Sequence, residues 1–207
     1  MALPWALTVL SLLPLLATQD PECAILKPAP ITNATLEQLS GKWFFLASAF
    51  RNPMYKEAIK TIQASFFFLS PNVTTDEILL RQYQTIRGQC IYNSTSLWVQ
   101  RENRTLSRLE GGTEHFANLL LTKDPKTYYF SFFIEDDLNK GLSLYGDKQE
   151  VTEEQLQGFS HAVKCMGMEE SEILFTNGKE DACGPLEKQQ EGERKKEDQV
   201  SAGDKSL

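Results

Sequence analysis

The chain has 207 residues, 41% of them hydrophobic and 24% charged, which suits one globular domain with a sizeable core and a polar appendage. A formal net charge of -7 and a pI near 5.0 argue against a nucleic-acid partner, because phosphate-backbone binding needs a basic surface. The basic cluster Arg194-Lys195-Lys196 is surrounded by Glu187, Glu191, Glu193, Glu197 and Asp198, which cancel most of its field, so it reads as a solvated tail.

Leu7 to Leu16 is an apolar run too short to span a bilayer, followed by Ala17-Thr18, and residues 1–18 read as a signal peptide lacking the usual basic start. The run allows cleavage after Ala17 or Thr18, and the latter leaves Gln19 as a terminus able to cyclise to pyroglutamate. No later run reaches the roughly 18 apolar residues of a membrane span, so the chain is expected to be secreted, extracellular and monomeric. Asn33-Ala34-Thr35, Asn72-Val73-Thr74, Asn93-Ser94-Thr95 and Asn103-Arg104-Thr105 are N-glycosylation acceptors, which agrees with export. Cys23, Cys90, Cys165 and Cys183 form an even set without CxxC spacing, favouring disulfides over zinc or redox chemistry; three pairings satisfy that arithmetic.

Pro21 to Ile31 carries three prolines and no periodicity and is expected to be an irregular arm, with a capping-box turn at Thr35-Leu36-Glu37-Gln38. Gly41 to Phe50 is a long apolar and aromatic run, read as a strand buried on both faces. Asn52-Pro53 breaks it, and Met54 to Lys60 is a polar stretch with one helical turn. Further strands are expected at 61–70, 76–87, 90–101, 104–109, 115–122, 127–135 and 141–148, separated by turn residues such as Arg87-Gly88, Gly111-Gly112 and Asp124-Pro125.

Eight strands with short turns describe an up-and-down antiparallel meander, which removes its edges by closing into a barrel wide enough for one small ligand. A two-sheet sandwich is the rival arrangement. Thr152-Glu153-Glu154-Gln155 then caps an amphipathic helix whose apolar positions are Leu156, Phe159, Val163 and Met166, expected to lie outside the barrel. A short strand follows at 172–176, and residues 185–207 are charged enough to be expected without fixed structure, leaving 19–184 as the folded domain.

Gly41-Lys42-Trp43 opening the first strand, then eight strands, one helix and a short strand, resembles the lipocalin layout. Pro30-Ile31-Thr32-Asn33-Ala34-Thr35-Leu36, Gly41-Lys42-Trp43-Phe44, Gln100-Arg101-Glu102-Asn103 and Pro185-Leu186-Glu187-Lys188-Gln189 resemble one branch of that family over nearly the whole chain. The resemblance implies an acute-phase plasma carrier of lipophilic basic and neutral molecules (drugs, steroids, lipids) that modulates immune responses. It also implies pairing of Cys23 with Cys165 and of Cys90 with Cys183, each closing a long loop and contributing roughly 4 to 5 kcal/mol in the chain-entropy model.

Strand alternation, aided by the resemblance, selects an inward set. Alternation puts Tyr128, Phe130 and Phe132 on one face, and the resemblance implies that Phe130 and Phe132 point inside; Ser143 and Tyr145, and Arg108 with Glu110, are placed inward with them, and Phe50, Tyr55, Ile62, Phe67, Gln82, Gln84, His115 and Leu119 are added by resemblance and parity. Ile62 and Phe67 have opposite parity, so one of them needs a bulge or a lip position. A cluster of Tyr145, Ser143, Gln84 and Arg108 is expected to orient a ligand's polar end between aromatic walls. Gln82, Lys140 and Ala58 stand where the family pattern has Glu, Trp and Ser, and Glu110 is expected to stand in for the lost carboxylate.

His115 and His161 are the only histidines and lack metal-ligand spacing, so neither metal, cofactor nor catalysis is expected. The competing reading is an interaction protein that engages lectins or immune receptors through its glycans and outer surface. Within the opening strand, Gly41 and Trp43 are expected to close the barrel floor, with the Trp ring against the final arm and helix region, and Phe50 to stand near the open end.

Overall fold

The computed structural model describes residues 21–133, 136–176 and 178–204; the leader, Gln19 and the expected end of the seventh strand at Glu135 lie outside the described residues. Eight antiparallel strands form the barrel: β1 (Gly41–Phe50), β2 (Ile62–Asn72), β3 (Glu77–Ile86), β4 (Gln89–Gln100), β5 (Thr105–Glu110), β6 (Thr113–Leu121), β7 (Thr127–Phe132) and β8 (Gly141–Gly146). Each pairs with its sequence neighbour, and β1 pairs with both β8 and β2, which closes the sheet and decides against the sandwich. A ninth strand, β9 (Ile173–Phe175), adds to β1 at Ala47–Ala49, where β1 has parted from β2.

Two bulges correct the simple alternation. Along β1, Phe45 pairs with Tyr145 but Ala47 with Leu144, so Leu46 is an extra residue and the inward set changes from Trp43 and Phe45 to Ser48 and Phe50. Along β2, Ile62 pairs with Ile86 and Ala64 with Thr85, so Gln63 is extra and Ile62 shares the inner face with Phe67 despite their opposite parity. Gly141 pairs with Phe50, and a Cβ on it would overlap the Phe50 ring; the glycine lets that ring lie across the strand.

The floor is plugged from below by helix α1 (Asn33–Leu39), a seven-residue helix where a single turn was expected, with Leu36 and Leu39 fully buried. Its cap is Thr32, whose hydroxyl accepts from the Thr35 N–H while Thr35 returns a bond to the Thr32 N–H, so the capping box starts three residues earlier than at Thr35. Trp43 donates from Nε1 to the Leu39 carbonyl at 2.8 Å and meets Tyr128 edge-on at 4.7 Å; its partners are therefore α1 and β7, not the final arm. Arg101 clasps this end, bonding Asp76 at 2.6 and 2.8 Å, the Ile31 carbonyl at 3.1 Å and Asn33 Oδ1 at 2.9 Å.

Helix α2 (Pro53–Lys60) is a full element, capped by Asn52, that leads over the opposite end. Helix α3 (Glu153–Cys165), boxed by Thr152 and Gln155 as expected, lies outside on Leu142, Leu144, Leu120 and Tyr129 through Phe159, Ala162 and Val163. Of the arm, Pro21–Leu26 is a 3-10 turn, tied by Cys23–Cys165 to the end of α3. Cys90–Cys183 joins β4 to the start of helix α4 (Gly184–Asp204), which replaces the unstructured tail expected there. Charge composition misled because α4 docks through few contacts: Glu187 on Lys42 at 2.5 Å, Gln190 accepting from the Tyr83 hydroxyl at 2.5 Å, and Leu186 on the Phe66–Tyr83 cluster.

Trp43→Ala is expected to cost about 3 to 5 kcal/mol of stability in denaturant titration, because it removes a large buried ring from the floor; equal loss from Phe50→Ala would contradict this division of the strand. Arg101 holds the Asp76 carboxyl below its ordinary value of 3.8. That stabilisation is complete above the ordinary value and is lost as pH falls through the lowered one. The melting-temperature gap between wild type and Asp76→Asn is therefore expected to be widest at neutral pH and to close in acid below 3.8.

Candidate ligand-binding site

Cross-strand pairs share a face, so the register maps the barrel interior directly. Phe67 pairs with Gln82, Ser65 with Gln84, Arg108 with His115, Leu119 with Phe130, Phe130 with Ser143, and Tyr128 with Tyr145. With Phe50, Ile62, Glu110 and Phe132 on the same face, every strand residue expected to bind ligand faces inward. Tyr55, on α2, reaches this set through its ring, 5.4 Å from that of Phe50, which in turn lies 5.6 Å from Phe132.

Exposure rises along the interior from one end to the other. Ile78, Leu119, Tyr128 and Trp43 are buried with Leu80, Leu97, Val99 and Leu106 in one apolar floor. Above them Gln82, Gln84, Arg108, His115, Phe132 and Tyr145 are half-buried, and Glu110 is exposed. The interior is thus a cup with a dry aromatic bottom and a polar collar, open at the end that carries α2 and the turns after β3, β5 and β7. A groove of about 570 Å³ outside the barrel, between Ala24, Thr122 and His161, shares none of these residues.

At the junction of floor and collar, Tyr145 stacks on Tyr128 at 5.1 Å and meets Phe67 and Phe130 edge-on at 5.3 Å each. Burial pushes the Tyr145 phenol up to about 12, against the opposing pull of the Ser143 hydroxyl and the Arg108 charge. Burial also raises Tyr128 well above its ordinary value. Both phenols are therefore neutral hydrogen-bonding groups at physiological pH.

Glu110 is ion-paired to Arg108 at 2.5 Å, so its carboxylate is committed within the collar and is a weaker lure for a cation than a lone one. Lys140 faces away from the cup, nearly buried and paired with Asp137 at 2.6 Å, and Ala58 is exposed on α2. The expected set lacked Ser48 and Ser65, whose inner-face hydroxyls, like that of Tyr128, are buried with no hydrogen-bond partner among the described residues; Ser65 was legible by parity with Phe67. Counting by twos from Trp43 puts Ser48 outside; only the extra residue at Leu46 turns it in. Tyr128 was legible by parity with Phe130.

The Lipocalin / cytosolic fatty-acid binding protein family model matches residues 40–180. Together with the closed eight-stranded barrel, this shows that the chain belongs to the lipocalin family, in its non-enzymatic alpha-1-acid glycoprotein branch. Within it the chain is a homologue of the alpha-1-acid glycoproteins: it is 52% identical to that of Bos taurus over 202 residues, 97% of this chain and 100% of the relative. The Oryctolagus cuniculus alpha-1-acid glycoprotein is 52% identical over 197 residues, 95% of this chain and 98% of the relative. Among solved structures, lipocalin 12 from rat epididymis superposes with TM-score 0.59 at 17% identity, covering 77% of this chain and 93% of that one. The siderocalin Ex-FABP does so with TM-score 0.55 at 13% identity, covering 67% and 93%. Both likenesses concern the fold.

Between the ordinary phenol value of 10.0 and about 12, the folded state keeps a Tyr145 proton that the unfolded chain releases, so stability falls as pH rises through that window. Tyr145→Phe is expected to flatten this alkaline loss in melting curves taken across the window; an unchanged slope would place the titration elsewhere.

Proposed function

We propose that this lipocalin is a secreted plasma carrier of lipophilic small molecules, neutral and basic, held in the barrel. One observation carries the reading: a single inner face that runs from a dry aromatic floor, past the buried Ser143, to a half-exposed collar of Gln82, Gln84, Arg108, His115 and Tyr145. A rigid apolar body settles against Phe67, Leu119, Phe130 and Phe132, while its polar end meets the collar. Buried hydroxyls without a partner among the described residues suit a ligand carrying one or two oxygens, since a bond there removes a desolvation cost already present. The two disulfides accord with an oxidising, extracellular setting, and the similarity to alpha-1-acid glycoproteins supports plasma as the compartment and an acute-phase, immune-modulating role.

A second reading, contact with lectins or immune receptors through glycans, has its own support. Asn33, Asn72 and Asn103 all lie at the closed end, at the start of α1, the end of β2 and the turn after β4, remote from the cup's mouth. Sugars there face partners without touching a ligand, so the two roles are compatible.

Trp43, in the floor, is the fluorophore to follow, because Trp98 faces outward and is half exposed. Titrating a neutral steroid is expected to quench Trp43 saturably; failure of both a neutral steroid and a cationic amine to do so would defeat the carrier reading. Glu110→Val is expected to leave steroid affinity unchanged and to lower cationic-amine affinity by no more than about fivefold, since an exposed ion-paired carboxylate is worth at most about 1 kcal/mol. Calorimetric titration of both ligands into both proteins checks it.

A further inference from the structure

Three of the acceptor asparagines sit at the closed end, but Asn93 does not. It lies in β4, pairs with Gln82 and shares the inner face with Leu97 and Val99. Outward neighbours confirm the parity: Tyr92 pairs with Tyr83 on the outer face, and Cys90 is bonded to Cys183 there. Asn93 is exposed nonetheless, because β4 outreaches the wall beside it.

The pairing shows by how much. β4 bonds β3 from Trp98 to Gln89, but bonds β5 only at Trp98, Val99 and Gln100. From the Trp98–Ser107 pair, β5 climbs to Glu110 and turns at Gly111-Gly112, whereas Asn93 lies further from the same pair along β4. At about 3.4 Å per residue the Asn93 side chain stands roughly two residues, about 7 Å, above the end of β5 and looks inward across it. On the neighbouring β5 the inward residues nearest the mouth are Arg108 and Glu110 of the collar.

We propose that an N-glycan on Asn93 is a gate to the cup: rooted on the inner face level with Gln82 of the collar and beyond the end of β5, it leans over the mouth and the gap between β4 and β5, and slows ligand passage in both directions. The proposal rests on the carrier reading. A sugar chain is bulky and hydrated and does not enter the apolar floor, so the space left to it is the mouth itself. A barrier that obstructs arrival and departure alike changes rates and leaves the equilibrium affinity nearly where it was.

The test uses the full chain secreted from mammalian cells, with peptide mapping of occupancy at Asn93. Asn93→Gln and Thr95→Ala each abolish the acceptor by a different side chain; Asn33→Gln and Asn103→Gln remove sugars at the closed end. Stopped-flow quenching of Trp43 by a neutral steroid is expected to show association and dissociation rates both raised at least about threefold in the two Asn93-site variants, with Kd within about twofold and the closed-end variants unchanged. An unmodified Asn93 in the wild type, or rates equal to wild type in Asn93→Gln and Thr95→Ala, would overturn the gate while leaving the carrier intact. Absence of quenching in every variant would instead overturn the carrier reading, and the gate with it.

Discussion

Closure through β1 is the constraint on which the rest depends. A meander of eight strands leaves two open edges, and here one strand must satisfy both, bonding β2 at Gly41–Phe44 and β8 from Phe44 to Phe50. The extra residue at Leu46 makes the two halves compatible by turning the strand between them. The lower half then commits Trp43 to the floor, where α1 supplies the acceptor for its indole N–H, and the upper half commits Phe50 to the mouth beside Tyr55 and Phe132. β9 covers the edge of β1 that β2 leaves bare.

From that closure follows the polarity gradient of the interior. Where the strands are drawn together over α1 the inward residues are apolar and buried; where they part, above the last β4–β5 pair, the inward residues are Gln, Arg, His and Asn. Tyr145 sits at the boundary and records both environments: burial raises its pKa, while Ser143 and Arg108 pull the other way. The gradient matches the carrier proposed above, offering an apolar body the floor and a polar end the collar.

The outer surface is organised by two covalent ties. Cys23–Cys165 fastens the N-terminal arm to α3, and Cys90–Cys183 fastens α4 across an aromatic cluster of Phe66, Phe68 and Tyr83 over which Lys42 lies, 4.0 Å from the Phe66 ring. The helix α4 is polar nearly all round, and its order comes from this anchored start and from side-chain contacts with β1 and β3, not from a wide apolar stripe.

The strands, their antiparallel order, the α3 cap and most of the inward set were legible in the sequence, because period-two alternation, turn residues and a Thr-x-x-Gln box are local chemistry. Family resemblance supplied Phe50 and Ile62, which alternation alone misplaces. What local pattern did not carry were the places where distant segments decide the outcome. The bulges at Leu46 and Gln63 exist because partner strands impose their register, and they turn Ser48 and Ile62 inward. The capping box moved to Thr32 because the Thr35 hydroxyl also reaches the Pro30 carbonyl, and α4 became a helix through a disulfide partner 93 residues away. The sequence by itself determined that this chain builds a closed antiparallel barrel lined by aromatics and sealed at the Trp43 end; only the tertiary structure decided that α1 is the plug, which hydroxyls are buried without partners among the described residues and that Asn93 faces inward beyond the end of β5, because those depend on how far each strand runs beside its neighbour.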